Sequence, residues 1–181
     1  MKNLIFVFAC LFSVSVFGQT VYTEDQVYCN DYGLLFEKSN DLPISGIVQD
    51  YYESGQLESE GIYKDGIEEG LAKYYYENGQ LESEEMYKDG IEEGLAKYYY
   101  ENGQLESEGM LYGPFEAGYW TYYYENGQLS QEGNYKEGKA EGLYKMYHEN
   151  GQLSHEIYYV DFDVDYENCW DESGTEITCE D

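Results

Sequence analysis

Side chains suited to acid–base or nucleophilic chemistry are few in this sequence. His148 and His155 are its only histidines, and His148 occupies a position where equivalent segments carry tyrosine. No serine, cysteine or lysine has an activating partner at the spacing of a catalytic motif. Carboxylates are abundant throughout, so pairs of them do not mark an acid–base site. The sequence therefore predicts a protein that is not an enzyme, with no catalytic residue and no cofactor.

Three acids near the C-terminus alternate along the chain as the first ligands of a calcium loop do: Asp161, Asp163 and Asp165. Glu172 falls at the twelfth position of such a loop. Tyr166, however, stands at the sixth, where the loop needs glycine. Apolar residues alternate with the acids, which is typical of a half-buried strand. We expect a strand here and no metal site.

The cysteines favour a disulfide over a metal site. Cys10 lies in an N-terminal apolar segment, which leaves Cys29, Cys169 and Cys179. In an oxidising compartment, Cys169 and Cys179 can close a terminal hairpin as a disulfide. A metal site needs more ligands than three dispersed thiols. Cys29 is then free or paired with another chain.

The 24 tyrosines are a further candidate for function. Tyr74, Tyr98 and Tyr122 occupy the same position in successive segments. One interpretation is cross-strand packing. The other is an aromatic platform for a peptide or a sugar, since tyrosine offers a large contact area at low entropic cost. Both interpretations stay open, and the three residues are the candidate binding face.

These residues belong to an internal repeat of 24 residues. Four series recur in phase at this spacing: Gly55 to Gly151, Gly46 to Gly142, Leu57 to Leu153 and Tyr51 to Tyr147. Glycine recurs twice per repeat and no apolar stripe has a helical period, so helix is unfavourable. The dipeptides Asn78-Gly79 and Asp89-Gly90 favour type I′ turns. Each repeat is therefore predicted to be an antiparallel hairpin within a continuous meander.

Two-residue turns would divide the side chains between two faces. Tyr76 would oppose Leu81, and Glu85 would oppose Gly94. The tyrosine face would collect Leu81, Ser83, Tyr87, Gly94, Ala96, Tyr98 and Tyr100, and the charged face would collect Glu82, Glu84, Glu93, Leu95, Lys97 and Tyr99. A packed side and a wet side are common in antiparallel sheets. The recurrent glycine at position 94 is expected to let aromatic rings or a curved backbone approach closely.

The segments YYENGQL and YKDGIEEGLAKYYY resemble MORN repeats, in the variant form of bacterial exported and antitoxin-like proteins. The resemblance covers about Gly46 to Ile157 and departs from the pattern at residues 110–115. It implies a non-enzymatic scaffold or protein-binding module. An antitoxin-like component that binds a basic toxin or effector is an alternative implied by the resemblance alone. A cation-buffering surface protein is a third alternative.

The chain is thus predicted to be all-β, a single elongated antiparallel meander of MORN-type hairpins. Lys2, the apolar run from Leu4 to Phe17 and Gly18 have the layout of a signal peptide over residues 1–18. A retained anchor is the alternative, but a run of 14 residues is shorter than the roughly 20 that span a bilayer. A lipidated Cys10 would have too short an apolar segment before it. The remaining divisions are a capping segment (19–45), the repeat array (46–159) and a C-terminal cap hairpin (160–181).

The charge balance limits the choice of partner. The net charge is −29, and removing Lys2 with the signal leaves 38 acidic and 8 basic residues, a net charge of −30 with no arginine. Such a surface repels nucleic acids and anionic membranes. We expect a basic protein partner, no nucleic acid, and no membrane insertion after signal removal. The expected location is the periplasm, the cell envelope or the exterior.

Overall fold

The computed structural model describes residues 19–179, and nearly all of their regular structure is β-strand. The predicted signal peptide, residues 1–18, lies outside the described residues. Most strands join in one long antiparallel sheet of hairpins, which confirms the predicted fold class. One short 3-10 helix, Glu24–Gln26, precedes the array. Between residues 19 and 179, no helix has the length and apolar character needed to cross a membrane.

The strands follow one another with short connections. They are β1 (Thr20–Thr23), β2 (Val27–Cys29), β3 (Leu35–Glu37), β4 (Leu42–Pro43), β5 (Gly46–Tyr51), β6 (Leu57–Lys64), β7 (Ile67–Glu68), β8 (Gly70–Tyr75), β9 (Leu81–Lys88), β10 (Ile91–Tyr99), β11 (Leu105–Tyr112), β12 (Phe115–Tyr123), β13 (Leu129–Lys136), β14 (Lys139–Tyr147), β15 (Leu153–Val160), β16 (Asp163–Trp170) and β17 (Glu176–Ile177). Neighbours in the long sheet run β1-β5-β6-β8 and then in sequence to β17, with β7 also paired to β6. The array is therefore a meander in which each hairpin adds to the previous one.

The two ends of the sheet differ from the repeats. Strand β1 pairs in parallel with β5, and β2, β3 and β4 form a separate small sheet. Val27 from that sheet packs with Ile44 and Val48 into a small buried core. At the other end, β17 pairs with the last residues of β16. These end segments fall within the predicted caps, whose boundaries stay predictions.

The Asp89-Gly90 turn has the predicted geometry. Asp89 and Gly90 both have positive φ, 51° and 76°, and Lys88 pairs with Ile91 across the turn. A two-residue loop with positive φ at both positions is a type I′ turn, which suits the right-handed twist of the strands. The prediction for this turn is confirmed.

The Asn78-Gly79 turn is longer than predicted. Gly79 has a φ of 85°, whereas Asn78 does not have a positive φ. Tyr75, and not Tyr76, pairs with Leu81. The predicted two-residue turn is therefore wrong at this site. Because paired residues share a face, the shift places Leu81 with Tyr75 on the charged face and away from the tyrosine face.

Gly94 serves a β-bulge rather than the approach of an aromatic ring. Glu85 pairs with Ala96, not with Gly94, because the pairing shifts between these strands. The φ of Gly94 is 141°, a value that side chains with a Cβ rarely adopt. A ring does approach the backbone closely at a different glycine, because a Cβ on Gly109 would overlap the indole of Trp120. The expected approach of a ring was therefore assigned to the wrong glycine series, whereas the bulge at Gly94 agrees with the expected curvature of the backbone.

Candidate binding face

Tyr74, Tyr98 and Tyr122 lie on the tyrosine face, on strands β8, β10 and β12. Tyr74 and Tyr98 both pair with Ser83, and Tyr122 pairs with Ser107. All three tyrosines are half-buried. A small residue opposite each ring leaves room for the ring to cover its neighbours, as in cross-strand packing. The structure therefore brings the three candidates to one face, and their use as a platform stays a prediction.

An aromatic series continues along this face beyond the predicted residues. The rings of Tyr98 and Trp120 have centroids 6.4 Å apart, and those of Trp120 and Tyr122 are 5.9 Å apart. Tyr135 and Tyr144 extend the series with centroid distances of 6.3 Å from Tyr122 to Tyr135 and 6.0 Å from Tyr135 to Tyr144. Distances in this range are those of favourable aromatic pairs. The face is thus a continuous layer of rings on one side of the sheet.

Trp120 is the central residue that the sequence interpretation did not single out. It replaces the alanine of other copies, Ala72 and Ala96, and is 1 % exposed. Its Nε1 donates to the carbonyl oxygen of Met110 at 3.0 Å, which fixes the indole. Gly109 provides the space that the ring fills. The signal available in the sequence was this replacement of a small residue by a large one opposite glycine.

At Glu85 the arrangement is reversed, because the large side chain stands at the glycine position and alanine stands at the position of Trp120. Glu85 takes the place of glycine in its copy, and its neighbours across both adjacent strands are Ala72 and Ala96. The side chain is buried, with 9 % exposure, and accepts hydrogen bonds from Ser83 Oγ at 3.0 Å and Tyr87 Oη at 3.2 Å. A buried carboxylate needs such donors. The tyrosine face is therefore acidic beneath its rings.

Three glutamates spaced 24 residues apart, Glu68, Glu92 and Glu116, line the same face. Tyr87 Oη lies 3.1 Å from Glu92 and shares its one proton between Glu85 and Glu92, and Tyr122 Oη donates to Glu116 at 2.6 Å. Burial raises the pKa of both tyrosines far above the ordinary value. The hydrogen bond with Tyr74 and the charges of Glu85 and Glu92 add to the shift of Tyr87, and the hydrogen bond to Glu116 adds to that of Tyr122. Burial also raises the pKa of Glu68. The tyrosines therefore stay protonated and act as hydrogen-bond donors to the acids.

A groove of about 600 Å³ opens beside Trp120, next to the turn between β11 and β12. Its walls combine apolar and aromatic residues with three carboxylates and one ammonium group: Tyr98, Leu111, Pro114, Phe115, Trp120, Glu92, Glu116, Glu137 and Lys139. Phe115 is 51 % exposed, so it is the aromatic surface open to a partner, while Trp120 forms the buried floor. Lys139 Nζ lies 5.3 Å from the ring centroid of Phe162. An aromatic wall beside carboxylates can bind a cationic side chain.

The charged face carries cross-strand ion pairs. Lys97 Nζ lies 3.0 Å from Glu108, and Lys73 Nζ lies 3.6 Å from Glu84. The hydrogen bond to Glu108 raises the pKa of Lys97 above its ordinary value. Partly exposed pairs of this kind contribute little to stability, about 0–1 kcal/mol each. They neutralise part of the charged face, which makes that face a weaker candidate for a cationic partner than the groove.

The remaining candidate residues are the cysteines and His148. Cys169 and Cys179 are joined by a disulfide with a Cα–Cα distance of 5.3 Å, and Cys29 is an exposed free thiol. His148 Nε2 contacts the carbonyl oxygen of Trp170 at 2.8 Å, the same contact that tyrosine hydroxyls make in other copies. The position of His148 is thus a structural one in every repeat.

The acidic run near the C-terminus does not form a calcium loop. Asp161 lies in a turn with a φ of 51°, while Asp163 and Asp165 belong to strand β16. Both strand acids are exposed. The predicted strand is present, although its first residues are exposed and not half-buried.

The sheet is a continuous meander of hairpins, and equivalent positions carry side chains of different sizes in different copies. This architecture defines a β-hairpin repeat protein. Five consecutive segments match the family described as MORN repeat variant: residues 44–65, 68–89, 92–112, 117–137 and 140–161. These segments cover more than half of the chain, which therefore belongs to this family. Its repeats are commonly protein- or membrane-binding modules and are generally non-catalytic. No curated protein matches the chain.

Proposed function

We propose that the chain is a non-catalytic scaffold that binds a basic protein partner at the groove beside Trp120. The observation that supports this proposal is the placement of Glu92, Glu116 and Glu137 around the exposed ring of Phe115. An arginine or lysine side chain can stack on that ring while its charge meets a carboxylate. Burial of these contacts away from water gives the site its specificity.

The rest of the molecule contributes at longer range. A net charge of −29 attracts cationic surfaces over a distance that is limited to about 10 Å at 0.1 M salt. This attraction accelerates association, whereas contacts in the groove slow dissociation. The two contributions are separable, because salt screens the first more strongly than the second.

Export is part of the proposal and is supported by the layout of residues 1–18. The module would then act in the periplasm, in the cell envelope or outside the cell. A narrower candidate is an antitoxin-like component that neutralises a basic toxin or effector. The strongly acidic composition favours that candidate, since neutralisation of a basic partner needs the same complementarity.

The test uses a fluorescein-labelled peptide of alternating arginine and serine as the probe, with an alternating glutamate–serine peptide for comparison. We expect the arginine peptide alone to bind, with an association rate that falls as salt rises. Glu116→Gln removes one charge from the groove and keeps an acceptor for Tyr122. Glu125→Gln removes one charge from an exposed turn at the opposite end of the strands. We expect the first variant to weaken binding about 5-fold or more and the second to have little effect.

Two results would overturn the proposal. Equal losses in the two variants would show attraction to the net charge without a site. Failure of the arginine peptide to bind at low salt would exclude the proposed binding of a basic protein partner. Circular dichroism of both variants ensures that a loss of binding reflects the side chain and not unfolding.

A further inference from the structure

Three potential metal ligands converge at the C-terminal end of the sheet, away from the groove. His155 on β15 pairs directly with Cys169 on β16, and Glu167 lies two residues before Cys169 on the same face. One nitrogen, one carboxylate oxygen and one sulfur atom from these residues all lie within 4.8 Å of one another. Histidine, thiolate and carboxylate are the ligands that Zn²⁺ prefers in proteins.

The disulfide holds a candidate fourth ligand, Cys179, beside Cys169. Cys179 follows the last strand and is bonded to Cys169. Reduction of that bond leaves the Cys169 thiol beside His155 and Glu167, and the Cys179 thiol beside that of Cys169. Four donors of this kind match the four-coordinate, tetrahedral preference of Zn²⁺.

We propose that the reduced chain binds one Zn²⁺ ion through Cys169, Cys179, His155 and Glu167. The oxidised chain closes the same terminal hairpin with the disulfide. The two closures exclude each other, because a disulfide sulfur has no thiolate charge to offer the metal. The C-terminal cap is thus held by a covalent bond in an oxidising environment and by a metal ion in a reducing one.

The spacing of the donors requires only small movements. Ligand atoms of a tetrahedral zinc site are separated by about 3.3–3.8 Å, given metal–ligand bonds of about 2.0–2.3 Å. The observed limit of 4.8 Å is therefore about 1 Å too wide, a change within reach of side-chain rotation. Cys169 is buried and His155 is half-buried, whereas Glu167 is exposed. Ser154 Oγ lies 3.0 Å from His155 Nδ1 and can hold the ring orientation.

The redox step balances with a dithiol reductant. The dithiol transfers two electrons and two protons to the Cys169–Cys179 bond, which becomes two thiols, and the reductant becomes a disulfide. Binding of Zn²⁺ then releases the two thiol protons, so that both sulfurs bind as thiolates. A reducing compartment before export supplies such dithiols, and an oxidising one removes them.

The experiment uses the full chain with Cys29→Ser, which removes the unrelated thiol. The chain is studied as purified and after reduction by a phosphine that is removed before metal is added. Co²⁺ serves as the probe, because tetrahedral thiolate-bound Co²⁺ has visible d–d bands and a near-ultraviolet charge-transfer band. Zn²⁺ affinity follows from its displacement of Co²⁺. We expect one equivalent in the reduced chain and none in the oxidised chain.

Two matched histidine variants test the ligand set. Gln131 occupies the position of His155 in the preceding copy, and tyrosine occupies that of His148 in four copies, so His155→Gln and His148→Tyr both follow the repeat pattern. Mutation of a residue that hydrogen-bonds to a metal ligand lowers metal affinity by about 10–100-fold. We therefore expect loss of the direct ligand in His155→Gln to weaken Zn²⁺ binding by about 100-fold or more, and Glu167→Gln to weaken it less. His148→Tyr is expected to bind as the parent does.

The contrary results are equally specific. Co²⁺ binding by the oxidised chain would show that the thiols are not ligands. A spectrum unchanged by His155→Gln would indicate thiolates from two chains and overturn the proposed site. Half an equivalent of metal per chain would overturn it as well, because two chains would then share one ion.

Discussion

The indole of Trp120 occupies the space that a Cβ atom on Gly109 would need. In another copy of the repeat, Glu85 takes the place of this glycine and Ala96 takes the place of the tryptophan. The large side chain thus stands on one strand in one copy and on the neighbouring strand in the other, and its chemistry changes from aromatic to acidic. Repeats of one backbone can therefore present different surfaces along the same face.

The close contact between Gly109 and Trp120 predicts that mutations at these two positions have coupled effects on the free energy of unfolding. Gly109→Ala should lower the free energy of unfolding by about 1–3 kcal/mol, because the added methyl overlaps a fixed ring. In a Trp120→Ala background, the same change should cost less than about 0.5 kcal/mol. Urea denaturation of the four proteins in the cycle measures the coupling.

Gly142→Ala is the control for this cycle. A Cβ there meets no atom within 4 Å, but the residue has a φ of 76°. Its cost comes from the backbone alone and should not depend on residue 120. Additive effects of Gly109→Ala and Trp120→Ala would contradict the close contact between the two residues.

Asp50 predicts a pH-dependent gain in stability. Its Oδ1 is buried without a hydrogen-bond partner among residues 19–179. Burial, and then the charges of Glu24 and Glu58, raise its pKa. Folding therefore favours the protonated acid, so stability present at low pH is lost as pH rises through the folded-state pKa. Asp50→Asn should raise the free energy of unfolding at neutral pH; the gain should shrink as pH falls through the raised folded-state pKa and disappear below about pH 4, the unfolded value.

Asp171→Asn is the control with the opposite sign. Hydrogen bonds from Ser173 and Thr175 lower the pKa of Asp171, so its ionised form stabilises the fold above the unfolded pKa and that contribution is lost in acid. This variant should therefore be destabilised at neutral pH. Thermal unfolding of the parent chain and of the Asp50→Asn and Asp171→Asn variants at a series of acidic pH values measures both changes in stability. A gain of Asp50→Asn that stays constant with pH would show that packing, and not charge, is responsible.

The terminal disulfide predicts a measurable contribution to stability. The bond joins cysteines ten residues apart, and a loop of this length is expected to contribute about 2–3 kcal/mol by restricting the unfolded chain. Reduction in the presence of a metal chelator should lower the urea midpoint accordingly. Cys29→Ser serves as the control and should leave it unchanged, since the thiol is exposed. An unchanged midpoint after reduction would mean that the last hairpin unfolds independently of the array.

Export predicts a defined N-terminus. When the full chain is produced in a bacterial host, the protein recovered from the periplasm or the medium should begin near Gln19. N-terminal sequencing and intact mass together provide the measurement. Recovery of a chain that retains Met1 in those fractions would refute cleavage, and recovery only inside the cell would refute export.

The repeat period made much of the fold predictable. In-phase glycine, leucine and tyrosine series set the hairpin length, and Asp89-Gly90 defined its turn. The tyrosine face was correct for Ser83 and Tyr98, because alternation along a strand is a local property. The groove was not predictable, because Phe115 begins β12 and Glu137 lies in the turn between β13 and β14, and only the assembled sheet brings them together.

By itself, the sequence determined the all-β class, the meander and the acidic surface, because each depends on periodicity and composition. The tertiary structure decided the register. Asn78-Gly79 is compatible with a short or a long turn, and contacts between hairpins favour the long one: Tyr76 Oη donates to the carbonyl oxygen of Tyr99 at 2.6 Å, and Asn78 Nδ2 donates to that of Glu101 at 3.1 Å. These bonds reach into the next repeat, so no local pattern encodes them. A shift of one residue changes which face a side chain occupies, and the location of the binding face therefore depends on the packed array.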